Sequence, residues 1–484
     1  MAGQTPRRSA RSSNQPADAH RPRVVPRQAP AGMTAAEERD WGRSLRGTVA
    51  RRSHGPWSPA ADRPDPVTLL MEQSAARVPD LVPIRYGRML ASPFTFLRGS
   101  ALVMTADLAR VPSSGIFVQA CGDAHLSNFG TFMTPERNLI FDLNDFDETY
   151  RAPFEWDVKR LAASAVVAAR DNGFSEREAR ASGRTAARQY RLTILEMASL
   201  SFLDMWYTRT NPERYYQSIL RRGEKKFGAS VRAVLDKAYS RDHLGALDRF
   251  AYNDHGRWRI QTEPPLVVQV PGTTDDPGVV ARALEDYTAT LPPEFSAFTR
   301  RYRLVDVARK VVGVGSVGTE AFIVLFIGDN IGAPVFLQVK EAGHSVLEAY
   351  GQPDLHEHQG ERVVFGQRLM QAASDPFLGW FRGSGQRGLD YYVRQLRDGK
   401  ASFDVGSLVP AGLTRYIEVC GQVLARSHAR SGDAPAIAGY LGRGDVFDAA
   451  IEEFAVRYAD QTVRDHAALV QAEADGRISA SRGL

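Results

Sequence analysis

Apolar residues recur at helical spacing through long parts of the chain, and the spacing changes to that of strands in several shorter stretches. Near residue 311 the composition shifts to β-branched and aromatic runs, and a turn-rich connector between two of these runs predicts a hairpin. The pattern predicts helices at about 94–108, 157–170, 175–207, 212–240, 278–291 and 358–373, and two or three helices within 411–472. It predicts strands at about 116–120, 322–326, 335–339, 376–382 and 390–396, and a strand, a turn and a second strand within 131–141. The chain therefore belongs to the α+β class.

A densely polar stretch interrupts this pattern between residues 121 and 148. It begins with CGDAHLSNFG, continues through a strand, a turn and a second strand, and ends in DLNDFDE. Crowded carboxylates cost several kcal/mol unless a cation compensates their charge. Mg²⁺ suits such a site, because it takes one or two carboxylates and fills its other positions with phosphate oxygens and water. A polar surface hairpin is the alternative interpretation.

A second motif, GVGSVG, occupies residues 313–318 and supplies Gly313, Gly315, Ser316 and Gly318. A dinucleotide-binding fingerprint would open a helix, but here a strand-like run follows. A Walker A motif is excluded because no Gly-Lys-Ser/Thr closes the segment. A glycine loop between two strands is instead how a protein-kinase-like fold covers the phosphates of ATP, since backbone N–H groups can then approach the anion.

Lys340 follows on the second strand of the hairpin, where such a fold needs a lysine to pair with the α- and β-phosphates. The chain has only seven lysines against 54 arginines, so a lysine at this position is a specific choice. A compact ammonium suits a phosphate as a point charge. We predict Glu361 as its partner on the following helix, with Glu357 and Glu348 as alternatives. A lysine that extends from a strand end into solvent is the competing interpretation.

The GDAHLSN segment resembles the catalytic loop of aminoglycoside phosphotransferases and related small-molecule kinases, and PFEWDVKRLA at 153–162 is similar to a segment that follows it there. The chain also resembles a bacterial family of unknown function that carries the CGDAHLSNFG and NDFDE signature. The resemblance implies that Asp123 is the catalytic base and that Asn128 is a metal ligand. It leaves Asp145 or Asp142 as the second metal ligand, and we favour Asp145. Cys121 departs from the pattern, because these families usually have a histidine there.

The order of the two motifs is reversed relative to kinases, because the glycine loop and Lys340 follow the catalytic loop by almost 200 residues. Either the motifs are unrelated or the chain is a circularly permuted, two-lobed protein-kinase-like fold with a mostly helical large lobe and a small antiparallel β lobe, which we favour. The expected regions are a disordered basic tail at 1–63, a C-lobe-like catalytic and metal-binding region at 64–300, an N-lobe-like region at 301–400, and helices at 401–484 that return to the C-lobe.

The chain has a net charge of +5, and its positive excess comes from residues 1–63, where twelve arginines and five acids give a net charge of +7. The remaining 421 residues have a net charge of −2 and give no strong signal for nucleic-acid binding. Two cysteines do not form a disulfide framework, and no stretch of about 18 uncharged apolar residues occurs. We expect a cytoplasmic protein without membrane contact.

These observations favour phosphoryl transfer from ATP, with Mg²⁺, to a hydroxyl of an unidentified small molecule or protein. Nucleotidyl transfer on the same fold stays open. Two further alternatives are a metal-dependent hydrolase that uses Asp123, His125, Asp142 and Asp145, and a nucleotide-binding regulatory module without turnover.

Overall fold

Helices form both ends of the described chain, and most of the strands lie between them. The structure, a computed structural model, describes residues 24–241, 243–269, 277–295, 297–311, 313–328, 333–351, 356–385, 387–396 and 399–483. Within these ranges the helices are α1 (Ala35–Ser44), α2 (Pro66–Ser74), α3 (Val82–Met89), α4 (Pro93–Gly99), α5 (Ala101–Leu108), α6 (Phe154–Asp171), α7 (Glu176–Met197), α8 (Phe202–Tyr207), α9 (Pro212–Arg221), α10 (Lys225–Tyr239), α11 (His243–Phe250), α12 (Pro277–Ala289), α13 (Phe298–Arg301), α14 (Gln359–Met370), α15 (Pro410–Ser431), α16 (Ala434–Leu441) and α17 (Val446–Ala474). None of them is long and apolar enough to cross a bilayer.

The strands form one six-stranded antiparallel sheet and three two-stranded pairs within the described residues. They are β1 (Phe117–Ala120), β2 (Phe129–Met133), β3 (Leu139–Leu143), β4 (Tyr150–Pro153), β5 (Ala251–Asp254), β6 (Arg257–Ile260), β7 (Val267–Val268), β8 (Tyr302–Lys310), β9 (Ala321–Gly328), β10 (Pro334–Glu341), β11 (Gly379–Arg382) and β12 (Asp390–Gln395). The large sheet has the order β11-β12-β10-β9-β8-β7, and the pairs are β1-β4, β2-β3 and β5-β6. The predicted α+β class is confirmed.

The predicted hairpin is formed by β9 and β10, which pair antiparallel with Val339 opposite Phe322. Alternate residues of β9 lie in two different apolar clusters, so both faces of this sheet are covered. Ile323 and Leu325 pack in a cluster that includes Ala246 of α11, whereas Val324 and Phe326 pack in one that includes Tyr287 of α12. Burial on both faces explains why the sequence of β9 is a continuous apolar run without polar alternation.

The mostly helical part of the molecule is built around α6 and α7, which pack against each other and against the C-terminal helices α15 and α17. Helix α6 is rich in alanine and valine and is buried along almost its entire length. Small side chains allow helices to approach closely on all sides, so α6 forms the centre of this part. The C-terminal helices thus lie beside the segment that directly follows the polar motif at 121–148.

The expectation of a disordered tail over 1–63 is wrong for the residues after Thr34. Thr34 and Glu37 form a capping box at the start of α1, and α1 packs against α16. A Cβ atom at Gly42 would collide with the carbonyl oxygen of Ala436, and one at Gly439 would collide with that of Arg39. The two glycines therefore allow the backbones of α1 and α16 to come into direct contact.

Candidate functional site

The loop that carries Asp123 leaves the end of β1 through a sharp turn at Gly122. Gly122 has φ +79°, a region that glycine adopts more readily than residues with a Cβ atom. A Cβ atom there would also collide with the carbonyl oxygen of Glu148. Because β1 pairs with β4, the turn is held against the chain that follows the acidic segment. The glycine of the CGD motif is thus required by backbone geometry.

The carboxylate of Asp157, near the start of α6, holds the same loop in place. Its carboxylate accepts hydrogen bonds from the backbone N–H of Cys121 at 2.6 Å and of Gly122 at 3.0 Å. The Nε2 atom of His428 on α15 lies 3.1 Å from the same carboxylate. Hydrogen bonds to a charged acceptor are stronger than neutral ones, so the loop conformation is well determined.

Asp123 is the predicted catalytic base. It lines the cleft described below, and one oxygen of its carboxylate pairs with an arginine. Arg160 of α6 donates from Nε to Oδ1 at 2.7 Å, and its Nη2 lies 2.5 Å from the same oxygen. The Nε2 atom of His125 is 3.5 Å from Oδ2. Burial lowers the pKa of His125 to about 4, so the ring is neutral at pH 7. Both contacts from Arg160 are to Oδ1 of Asp123, so Oδ2 remains for another partner.

Asn128, predicted as a metal ligand, connects the two acidic segments. Its Nδ2 donates to the carbonyl oxygens of Asp123 and Asp145, each at 3.1 Å, and its Oδ1 accepts from the backbone N–H of Asp145 at 2.7 Å. The residue also lines the cleft described next. In this structure the side chain of Asn128 positions Asp145 relative to Asp123.

A cleft of about 1120 Å³ separates the acidic loop from the glycine-rich segment. Motifs that lie almost 200 residues apart in the sequence therefore face each other across one space. This volume suits a ligand of nucleotide size. Most of the predicted site residues line the cleft: Asp123, Asn128, Asp145, Gly313, Gly315, Ser316 and Lys340.

Gly318 lies at the edge of the glycine-rich segment and is not among the residues that line the cleft. It has φ +91°, and its carbonyl oxygen accepts a hydrogen bond from the backbone N–H of Val78 at 2.7 Å. Arg77 donates to the carbonyl oxygen of Val317 at 2.5 Å. The segment before α3 thus holds the glycine-rich segment in place.

Lys340 points into the cleft from β10 and pairs with Asp147, a residue that sequence reasoning did not select. The distance from Nζ to Oδ2 of Asp147 is 2.5 Å, and Asp145 Oδ1 lies 3.5 Å away. Ser316 of the glycine-rich segment donates to the same oxygen of Asp147 at 2.8 Å, and Tyr392 of β12 donates to Oδ1 at 2.6 Å. Asp147 is therefore the residue at which the two motifs meet.

The charges of this group are strongly coupled. Burial alone raises the pKa of Asp147, but Lys340 and the hydrogen bonds from Tyr392 and Ser316 lower it well below its ordinary value. Burial alone lowers the pKa of Lys340, but Asp145 and Asp147 raise it above its ordinary value. Burial and the adjacent Asp147 raise the pKa of Asp145. At neutral pH the group therefore contains a charged lysine and an ionised Asp147.

Asp142, the second candidate metal ligand, is not among the residues that line the cleft. It is fully buried in β3, where Arg426 of α15 lies 2.5 Å from Oδ1 and the backbone N–H of Ala372 donates to Oδ2 at 2.9 Å. These partners satisfy both carboxylate oxygens. Of the four residues in the hydrolase hypothesis, three line the cleft, namely Asp123, His125 and Asp145, and Asp142 does not.

Glu361 does not contact Lys340, which corrects the predicted pairing. Its carboxylate lies 3.6 Å from Nδ1 of His356, and its side chain is 39% exposed. The neighbouring Arg362 points inward instead and donates to the backbone carbonyl oxygens of Asp147 and Thr149 at 2.9 Å and 2.6 Å. Helix α14 therefore binds the acidic segment through Arg362, and Lys340 pairs with Asp147 instead of a glutamate of this helix.

Glu357 and Glu348, the other two candidates, also have different surroundings. Glu348 accepts from His344 at 2.8 Å. Glu357 lines the cleft, but Lys340 forms its ion pairs with aspartates. The expected partner on a helix is thus replaced by a carboxylate from the acidic segment itself.

The donor set fits Mg²⁺ only in combination with a ligand that supplies further oxygens. In the part of the chain that the structure describes, no group of three or more His, Cys, Asp or Glu side chains is arranged to hold a metal ion. Asp145 and Asp147 nevertheless place two carboxylates around one cation, the Lys340 ammonium. Two carboxylates with phosphate oxygens and water are a usual Mg²⁺ environment.

Sequence reasoning also missed Arg160 and Asp157, which set the geometry of Asp123. Both lie in the segment PFEWDVKRLA, one turn apart on α6. Residues three or four positions apart share one face of a helix, so both can reach the same loop. That spacing was the available signal for the two residues, whereas Asp147 could be recognised only by its position after the end of β3.

Comparisons with known proteins give one match. A search of curated proteins and a search of solved structures found none. A family model described as "Uncharacterized protein conserved in bacteria (DUF2252)" matches residues 77–472, a range that includes both motifs. The matched range covers most of the chain, and the protein therefore belongs to this bacterial family.

Proposed function

We propose that the protein is a phosphotransferase that moves the terminal phosphoryl group of ATP, bound with Mg²⁺, to a hydroxyl group. One observation carries the proposal: the glycine-rich segment and Lys340 face Asp123, Asp145 and Asp147 across a single cleft. Either motif alone is weak evidence. Together they supply the groups that phosphoryl transfer needs, because catalysis of this reaction depends mainly on positioning and on compensation of negative charge.

In this proposal the residues of the two cleft walls have different tasks. Gly313 and Gly315 leave backbone N–H groups accessible to phosphate oxygens, and Lys340 supplies a positive charge beside them. Asp123 orients the acceptor hydroxyl and accepts its proton as the bond to phosphorus forms. Arg160 holds Asp123 in position through Oδ1, which leaves Oδ2 for the hydroxyl.

Asp145 and Asp147 would hold the metal ion. Bound Mg²⁺ supplies charge neutralisation of the phosphate oxygens. Ser316 and Tyr392 hold Asp147 through its two oxygens. These hydrogen bonds keep the carboxylate oriented toward the cleft when Lys340 turns to a phosphate.

We further propose that the fold is a circularly permuted protein-kinase-like fold of two lobes. Two features support this reading. The six-stranded sheet carries the glycine-rich segment and Lys340, as the smaller lobe would. The C-terminal helices α15 and α17 pack against α6 and α7, which follow the loop of Asp123. The chain that comes after the sheet thus completes the helical part that comes before it.

The first experiment measures binding of Mg·ATP by isothermal titration calorimetry. We expect wild-type binding that requires Mg²⁺, and at least about tenfold weaker binding for Lys340→Met and Asp145→Asn, since each loses an interaction with a charged group. Lys237→Met is the matched control, because Lys237 is an exposed lysine of α10. Absence of wild-type binding, or equal binding by wild type and both site variants, would refute the proposal.

The second experiment follows the fate of the label from ATP in reactions with a panel of hydroxyl compounds. Transfer of the γ-phosphate, lost in Asp123→Asn, is the expected result. Transfer of the α-phosphate with its nucleoside would show nucleotidyl transfer and replace this proposal. Release of phosphate to water at the same rate with and without every acceptor would also contradict it.

A further inference from the structure

Arg98 is a cation at the Asp123 end of the cleft that the proposed function leaves without a task. It lies in the last turn of α4 and lines the cleft. Its backbone carbonyl oxygen would be 3.5 Å from a Cβ atom built on Gly315, and Oδ2 of Asp123 would be 3.8 Å from the same point. Arg98, Asp123 and the glycine-rich segment therefore meet at one place.

The guanidinium of Arg98 has unused hydrogen-bonding capacity. Its Nε is buried and has no partner, and no hydrogen bond or ion pair joins the guanidinium to any other residue that the structure describes. A buried donor without a partner costs free energy, and a planar guanidinium can offer five N–H groups to an anion. Arg98 thus lines the cleft with donor groups that no described residue uses.

Asp123 does not serve as a full counter-ion for Arg98. Its Oδ1 is already paired with Arg160 at 2.7 Å. The charged groups that act on Arg98 are Asp123 and Arg88, and Arg88 has the same sign as Arg98. Because Arg160 already pairs with Asp123, Arg98 has no ion-pair partner of its own among the described residues. Glu72, another acid that lines the cleft, is exposed at the surface.

His125 adds a second polar group to the same place. Its side chain is nine-tenths buried and lies 3.5 Å from Asp123. Its Nδ1 is buried and has no partner within the described part of the chain. A neutral imidazole can donate or accept one hydrogen bond at this atom, so it can contact a polar ligand without adding charge.

The proposed function assigns the nucleotide phosphates to the glycine-rich segment and Lys340, and Lys340 and Ser316 contact Asp147 there. It assigns the acceptor hydroxyl to Asp123, which is the acidic group that acts on Arg98. We infer that the acceptor is a small hydroxyl compound that also carries a compact oxyanion, a phosphate or a carboxylate, and that Arg98 binds this oxyanion beside Asp123. This inference rests on the proposed function and adds the acceptor class to it. A polycationic acceptor of the aminoglycoside type would be repelled by Arg98.

The test measures binding of inorganic phosphate and of acetate by equilibrium dialysis of the full chain without nucleotide. The variants are Arg98→Met, which removes the charge at similar size, and Arg98→Lys, which keeps the charge but loses the planar fork. Lys340→Met probes the nucleotide end, and Arg177→Met is the control, because Arg177 is exposed on α7. The Mg·ATP affinity of each variant is measured in parallel by calorimetry.

We expect Arg98→Met to weaken binding of the preferred oxyanion by about tenfold or more, with Arg98→Lys between it and wild type. Lys340→Met and Arg177→Met should retain oxyanion binding, and Arg98→Met should retain Mg·ATP affinity within about twofold. The inference is overturned if neither oxyanion binds wild type, if Arg98→Met binds as wild type does, or if Arg98→Met weakens Mg·ATP as much as Lys340→Met does. Oxyanion binding through Arg98 without any Mg·ATP binding would support the oxyanion site and refute the proposed function.

Discussion

Replacement of Lys340 by methionine should destabilise the protein through the two carboxylates that it leaves behind. The Lys340 side chain is 2% exposed, and its ammonium lies 2.5 Å from Asp147 and 3.5 Å from Asp145. Loss of one partner of a buried ion pair costs about 3–5 kcal/mol. The carboxylates are 25% and 43% exposed, so water compensates part of their charge. We expect the free energy of unfolding to fall by about 3 kcal/mol.

A double-mutant cycle separates this electrostatic effect from lost packing. Asp147→Asn removes the charge nearest to Lys340, so the second substitution should cost less in the Lys340→Met background than in wild type. We expect a coupling energy of about 2 kcal/mol between the two residues. The measurement is urea-induced unfolding at pH 7, followed by circular dichroism, with Lys237→Met as a surface control that should change stability by no more than about 0.5 kcal/mol.

The pH dependence of stability tests independently whether Lys340 stabilises the ionised form of Asp147. Lys340 lowers the pKa of Asp147 below its ordinary value of 3.8 in the folded state. The resulting stability is present above pH 3.8 and is lost as the pH falls below it toward the folded pKa. The difference between wild type and Lys340→Met should therefore be full at pH 7 and shrink as the pH falls toward 3.8 and below it. Additivity within about 0.5 kcal/mol at pH 7, or a difference that does not shrink in acid, would refute the reasoning.

Three further substitutions test the surrounding structure by the same unfolding assay. Gly122→Ala should cost at least about 2 kcal/mol, because alanine is strained at φ +79° and its Cβ would collide with a carbonyl oxygen; wild-type stability would contradict this. Burial raises the pKa of Glu148 to about 7 from an ordinary 4.5, so the contribution of Glu148 to stability falls as the pH rises from 5 to 8. Wild type should therefore lose stability relative to Glu148→Gln over this range, and a stability difference that does not change with pH would contradict this. Arg63→Met should cost about 4 kcal/mol, because Asp107 and Asp465, both 5% exposed, lose their shared cation; a change below about 1 kcal/mol would show that the network contributes little.

The sequence was sufficient for the α+β class, the β9–β10 hairpin and several of the residues that line the cleft. Periodicity identified long helices such as α7, because a 3.6-residue repeat persists over many turns. The rarity of lysine identified Lys340, and the structure places it beside the acidic loop. These predictions succeeded because the information is local: a repeat, a turn or an unusual residue type within a few positions.

The ordered segment after Thr34 could not be predicted in this way. Its many arginines suggested a solvated tail, since charged chains bury little apolar surface. In the structure Arg46 donates to the carbonyl oxygen of Tyr440 at 2.9 Å, and Arg51 donates to that of Leu441 at 2.5 Å. These carbonyls lie at the C-terminal end of α16, where they lack helical partners. The arginines thus satisfy a helix end almost 400 residues away, which local composition does not reveal.

The choice among the aspartates of 142–148 depended on where β3 ends. Pairing with β2 extends β3 to Leu143, opposite Phe129, so Asp142 remains inside the strand and meets Arg426 of α15. Residues after Leu143 leave the strand and can turn toward the cleft. Asp147 then pairs with Lys340, and the partner that sequence reasoning sought on a separate helix comes instead from the acidic motif. A strand end is fixed by pairing and packing, so identical residue types two to five positions apart acquire different roles that spacing alone does not distinguish.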